Sequence, residues 1–96
     1  MVLVEILLPV TDRTREELQR LTKLMTERFG GVTAFTRSPG EGLWQDQGRT
    51  IGDEIIVLEV MCETLDAGWW AELRKEIERR LDQDEIIVRS HPIQRL

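Results

Sequence analysis

The chain contains one cysteine, one histidine and no tyrosine, and only two of its thirteen basic residues are lysine. Each scarcity closes a class of function. A lone thiol, Cys62, leaves no internal disulfide, so the fold cannot depend on an oxidising compartment. Nor can it hold an iron–sulfur cluster. A lone histidine, His91, excludes a histidine-rich metal site, and with two glutamates it would form only a weak one. No metal and no cofactor are therefore expected. The 18 acidic residues outnumber the 13 basic ones, giving a net charge of −5. That is the wrong sign for a general nucleic-acid binder and argues against adsorption to an anionic membrane. No apolar run approaches the roughly 20 residues needed to span a bilayer as a helix. The opening "MVLVEILLPV" reads as a strand rather than a leader, because Glu5 interrupts it, no basic segment precedes it and no small-residue cleavage site follows.

What is present suits an ordinary folded protein: 96 residues, 41% hydrophobic and 32% charged, are expected to form a single domain spanning 1–96 with one modest core. A bacterial-type, cytoplasmic setting is expected. The preference for arginine over lysine fits genome base composition, or bidentate anion binding.

Hydrophobic periodicity and turn residues divide the chain into six elements. Val2 to Pro9 is apolar on both faces, the pattern of a central strand. Asp12 or Thr14 is expected to cap a helix, with Thr14-Arg-Glu-Glu17 as a capping box. Leu18, Leu21, Leu24, Met25 and Phe29 then form its apolar stripe, and "FGG" stops it. Val32 to Arg37 reads as a short second strand, and "DEIIVLEVMCE", Asp53 to Glu63, as the strongest strand. Thr64 or Asp66 begins a second helix whose stripe is Trp69, Trp70, Leu73, Ile77 and Leu81. "EIIVRSHPI" closes the chain as a strand. The order β-α-β-β-α-β predicts an α+β ferredoxin-like sandwich: a four-stranded antiparallel sheet, order 4-1-3-2, with two helices on one face.

Side chains alternate along a strand, so parity separates the two faces of this sheet. Val2, Val4, Ile6 and Leu8 should face the helices, with Ile56, Leu58, Val60, Cys62, Ile86 and Val88. The other face carries Leu3, Glu5 and Leu7; Ile55, Val57, Glu59 and Met61; and Ile87, Arg89 and His91. It should be bare in an isolated subunit, yet it is mostly apolar, and contiguous exposed apolar surface is rarely idle. The preferred reading is a subunit interface of a homo-oligomer, most simply a dimer. In the expected strand order Glu5 lies between Glu59 and Arg89. Two carboxylates side by side in a dry site require a proton or a cation, and Arg89 is the obvious partner, with His91 one step along. The same four residues also admit an acid–base reading, as in the cavities of cofactor-independent monooxygenases built on dimeric α/β barrels. That analogy is one of fold, which does not carry function.

The stretch "SPGEGLWQDQG", Ser38 to Gly48, lies between two of these strands. It begins like a nucleotide fingerprint, but Gln45 stands where a third glycine is needed, and no helix N-terminus follows to receive a phosphate. Pro39-Gly40 and Gln47-Gly48 are turn dipeptides, so the segment is expected to be an elaborated hairpin loop. Trp44 would anchor it as an interface arm or a flap over the sheet end. Cys62 reads as a small core residue rather than a nucleophile. Of Trp69 and Trp70, one should fill the core and the other lie at its flank. The charged run "ELRKEIERRLDQDE" reads as a solvated helix face laced with i,i+4 pairs, too short for a coiled coil.

On "RFGGVTAFTRSPGEGLWQDQG", "DEIIVLEVM" and the closing "HPIQRL", the chain resembles a group of short uncharacterised bacterial proteins. Their pattern is a helix ending in Arg-Phe-Gly-Gly, a hydrophobic-Thr strand and a Gly-x-Trp loop. The resemblance covers Arg28 to Met61 and the C-terminus and implies no activity. A wider similarity to ferredoxin-like dimeric α/β-barrel domains rests on topology. The expectation is a homo-oligomeric ligand- or protein-binding module associating through its open sheet face. The alternative is a cofactor-independent enzyme with a Glu/Arg/His cavity. Glu5, Glu59, Arg89, His91 and Trp44 are the candidate ligand or interface residues, with catalytic roles unassigned.

Overall fold

The computed structural model describes the backbone of residues 1–46 and 49–96, and the side chains of these residues outside 37–53. Its elements are β1 (Val2–Pro9), α1 (Thr14–Phe29), β2 (Thr33–Asp46), β3 (Arg49–Cys62), α2 (Ala67–Arg80) and β4 (Ile87–Pro92). The four strands form one antiparallel sheet in the order β2-β3-β1-β4. This is the expected 4-1-3-2 arrangement of a ferredoxin-like sandwich.

Parity decides the core. Val4, Ile6 and Leu8 of β1 and Leu58, Val60 and Cys62 of β3 are buried on one face. Against them pack Leu21 and Met25 of α1 and Trp70, Leu73 and Ile77 of α2, with Leu81 and Ile86 closing the lower edge. Each such aliphatic side chain contributes about 1.5–3 kcal/mol by leaving water. The expected apolar stripe of α1 does face the core, in graded depth. Leu21 and Met25 are buried, whereas Leu18, Leu24 and Phe29 are partly buried and the rest of the inner face is Thr14 and Glu17.

The helix ends are closed in different ways. Gly30 caps α1 with φ 85°, the left-handed conformation that a side chain disfavours, and its N–H donates to the Thr26 carbonyl. Asp66 caps α2, its carboxylate accepting from the Trp69 N–H at 3.1 Å. The capping box of α1 does not form. Thr14 is already the first helical residue, and its hydroxyl donates to the Pro9 carbonyl at 2.7 Å while accepting from the Thr11 N–H at 2.8 Å. It ties the end of β1 to the helix instead of capping it.

The expected loop from Ser38 to Gly48 is also corrected. β2 and β3 continue past the end of β1 as a two-stranded ribbon, paired in register from Gly40↔Ile55 to Asp46↔Arg49. The turn signal at Pro39-Gly40 is absorbed by a register irregularity between Phe35 and Gly40. A proline, which cannot donate to the ladder, is tolerated at such a break. Beyond it, Trp44, Thr50 and Ile51 carry the β-branched and aromatic chemistry that favours strands. The Gln47-Gly48 turn lies outside the described residues.

Candidate functional site

The sheet face away from the helices is built as its alternation implies. Strand registers place Glu5 opposite Glu59 on one side and opposite Arg89 on the other, and Leu3 opposite His91. Around them Leu3, Leu7, Ile55 and Val57 are half-buried. Phe35, Met61 and Ile87 are each 49% exposed, which leaves a broad apolar surface with no covering layer in the subunit.

The charges on this face are shared unequally. Arg89 Nε donates to Glu5 Oε1 at 3.2 Å, and His91 Nδ1 lies 3.8 Å from the same oxygen. Glu5 is the shielded member at 16% exposure, against 58% for Arg89 and 53% for His91. A pair this open is worth about 0–1 kcal/mol. Glu59 stands beside Glu5, between it and Thr33 of β2, and takes no ion pair or hydrogen bond among the described residues. The expected cluster of four is therefore a trio and a separate carboxylate. Trp44 lies on β2 opposite Ile51. Its side chain, and with it the expected role as interface arm or flap, is outside the described residues.

Glu59 borders a half-open cleft of about 750 Å³ at the end of the sheet where β1 begins and β3 ends. The turn from α1 into β2, Gly30-Gly31-Val32, lines it together with Leu3 and Met61 of the open face. Arg28 and Arg95 supply positive charge at its walls, and Glu59 and Glu63 negative charge. Cys62 reaches the same cleft while remaining only 4% exposed. Burial pushes its thiol pKa up, and nearby Arg28 partly offsets the shift. Such a thiol is a poor nucleophile at neutral pH, in keeping with a core role.

The Arg28 guanidinium sits 4.3 Å from the centre of the Trp69 ring. Phe29 stacks on Trp70 at 5.3 Å and meets Trp69 edge-on at 5.4 Å. Trp70 fills the core and Trp69 lies at the flank, as one ring each way requires.

One charged group escaped sequence reading. Glu17 is 2% exposed, accepts from Arg20 Nε and Arg80 Nε at 2.7 Å each, and so joins the two helices; Arg20 also reaches Glu76 at 2.9 Å. The hydrogen bond to Glu17 raises the Arg80 guanidinium pKa further. The available signal was spacing: residues 14, 17, 21 and 25 form one helical stripe, and Glu17 falls in it. Lys75–Glu72 lies on the outer face of α2, while Glu78, paired with Arg74, is largely shielded and accepts from the Ile86 N–H at 2.8 Å.

No protein-family model matches the chain, and no curated protein matches it. Solved structures do. The divalent cation tolerance protein CutA1 of Thermus thermophilus superposes with a TM-score of 0.64 at 16% identity, covering 99% of this chain and 86% of that one. The periplasmic divalent cation tolerance protein CutA of Archaeoglobus fulgidus gives 0.63 at 18%, over 99% and 86%. A phage SAM lyase in complex with S-methyl-5′-thioadenosine gives 0.60 at 16%, over 94% and 79%. The fold is shared. At these identities the likeness extends to architecture and no further. No helix among the described residues is long and apolar enough to cross a membrane.

Proposed function

We propose that this chain is a homo-oligomeric binding module, most simply a dimer, whose subunits associate through the open sheet face. One observation carries the reading: Phe35, Met61 and Ile87, each 49% exposed, lie on a single face floored by half-buried aliphatic side chains. Covering such a patch yields about 25 cal/mol per Å² of apolar surface removed from water. Arg89 and His91 already lean on Glu5, so most of the charge on that face is paired within the subunit. A cytoplasmic site of action fits a protein whose lone thiol needs no oxidising conditions.

The enzyme reading is weaker on geometry. An acid–base cavity needs its acid and its base in the same solvent-reachable space, and of Glu5, Glu59, Arg89 and His91 only Glu59 lines the cleft. The names of the structural neighbours, divalent cation tolerance proteins and a SAM lyase, point to different activities, so the common fold does not choose among them.

Sedimentation equilibrium across protein concentration tests the assembly, at two pH values straddling the usual histidine range near ~6.5. The expected mass is that of a dimer or larger, and Phe35→Ser should lower it. A monomer at every concentration would sink the proposal.

A further inference from the structure

The cleft at the end of the sheet is a second feature; it shares Leu3, Glu59 and Met61 with the open face, so the assembly and the cleft stand together only where subunit contact leaves this end of the sheet uncovered. Its volume of about 750 Å³ falls within the ~300–1,000 Å³ typical of small-molecule sites. Three independent features of its wall concern what it would hold.

The first is Glu59. It is half-buried, stands beside the Glu5 carboxylate of β1, and has neither an ion pair nor a hydrogen bond among the described residues. Glu5 has the local cations, Arg89 and His91, on its other side. A shielded carboxylate in that position favours a protonated nitrogen arriving from outside. The second is the opposite charge nearby. Arg28 is held over the Trp69 ring, and Arg95 is brought to the wall by the C-terminal segment, where the Ile93 N–H donates to the Met1 carbonyl at 3.0 Å. Neither arginine has a carboxylate partner among the described residues. The third is Gly31. Gly30 needs its positive φ, but Gly31 has no such requirement, and a Cβ added there would meet nothing within 4 Å. Nothing among the described residues calls for glycine at that position, and it lines the cleft with open space around it.

We propose that this cleft binds a small zwitterion with an apolar body, its protonated nitrogen on Glu59 and its anionic group on the arginine side. Leu3, Phe29 and Met61 supply the apolar contact. A plain cation would be opposed by Arg28 and Arg95, and a plain anion by Glu59 and Glu63, so the wall selects a ligand that carries both charges.

An amide-resolved NMR titration of the full chain with 6-aminohexanoate, hexanoate and hexylammonium tests this. The zwitterion should shift the Thr33, Glu59 and Met61 amides and bind about tenfold more tightly than either single-charge compound, as one added charge-assisted contact implies. Glu59→Gln, nearly isosteric, should reduce 6-aminohexanoate to the level of hexanoate. Gly31→Leu should block the cleft without lowering the melting temperature. Equal binding of all three probes, binding of none, or unchanged affinity in Glu59→Gln would overturn the proposal. A fall in sedimentation mass for Glu59→Gln would overturn it as well, by giving that carboxylate to a subunit contact. A wild-type protein that is monomeric yet binds the zwitterion would refute the assembly and leave the cleft standing.

Discussion

Leu58 and Val57 are adjacent on β3, both aliphatic, and point to opposite sides of the sheet. Leu58 is fully buried beneath the helices, while Val57 is half-buried on a face with no layer over it. The same contrast runs along β1, between buried Ile6 and half-buried Leu7, and recurs at the start of β4, between the preceding Ile86 at 2% exposure and Ile87 at 49%. Both faces are rich in aliphatic side chains, although only the open one also carries Glu5, Glu59, Arg89 and His91. Hydrophobicity therefore marks both faces as destined for burial, and the fold of one subunit meets that demand on only one. Two carboxylates show the contrast in another form, although Glu5 on the open face does have Arg89. Glu17, between the helices, has two arginines; Glu59, on the open side, has none among the described residues.

The sharpest way to break this comparison is to remove the same kind of atoms from each side. Leu58→Ala should cost about 2–5 kcal/mol in chemical denaturation, since it removes buried methyl groups and leaves a cavity among residues that cannot all collapse. Phe35→Ser should leave the stability of the isolated subunit within about 1 kcal/mol, its effect appearing in the sedimentation mass. If both variants lose several kcal/mol at a concentration where the protein is monomeric, the open face is part of the subunit's own core and the contrast fails.

The next effect in size concerns Glu17. Removing a buried carboxylate from between two arginines leaves cations without their partner, which costs about 3–5 kcal/mol where the remaining charge is fully buried. Arg20 and Arg80 are 26% and 47% exposed, so water relieves much of that penalty. Glu17→Ala should therefore destabilise by about 1–3 kcal/mol, and the loss should be smaller in a variant that also lacks Arg80. Full additivity of the two changes in a double-mutant cycle would show that the interhelix contact carries no coupling.

How far these contrasts were legible before the structure depends on the range of the interaction. Period-2 alternation assigned Val4, Ile6, Leu8, Leu58 and Val60 to one face correctly, because each residue's side is fixed by its own backbone. The strand order followed from the βαββαβ arrangement and right-handed crossovers, and it placed Glu5 between Glu59 and Arg89 before any coordinates. What failed was local chemistry decided by distant partners. Glu17 reads as a capping-box residue because Thr14 precedes it by three, yet Arg80, 63 residues away, claims its carboxylate. The Ser38–Gly48 stretch reads as a loop because proline and glycine punctuate it, yet Gly40–Asp46 within it pairs with Arg49–Ile55 and overrides those signals. The sharing of Arg89 was half legible: register brings it to Glu5, and nothing in the spacing says that Glu59 is left without it.

Cys62 offers the finest test, because it sits where the two regions meet. Its side chain belongs to the helix-covered core, and it also reaches the cleft that Leu3 and Met61 of the open face line. Burial raises its pKa above the ordinary thiol value, with Arg28 pulling the other way. The folded value being the higher one, its contribution to stability is complete below the unfolded thiol's pKa of about 8.5 and declines as pH rises through the folded value. The wild type should therefore lose slightly more stability than Cys62→Ala between about pH 8 and 10 in chemical denaturation. Arg28→Gln removes the offsetting charge, so native-state reaction of the thiol with a disulfide reagent at a pH of about 8.5 should slow further. A thiol that reacts as fast folded as unfolded would move the boundary of the core inward from Cys62. It would also make the wall beside Gly31 more open than its neighbours imply.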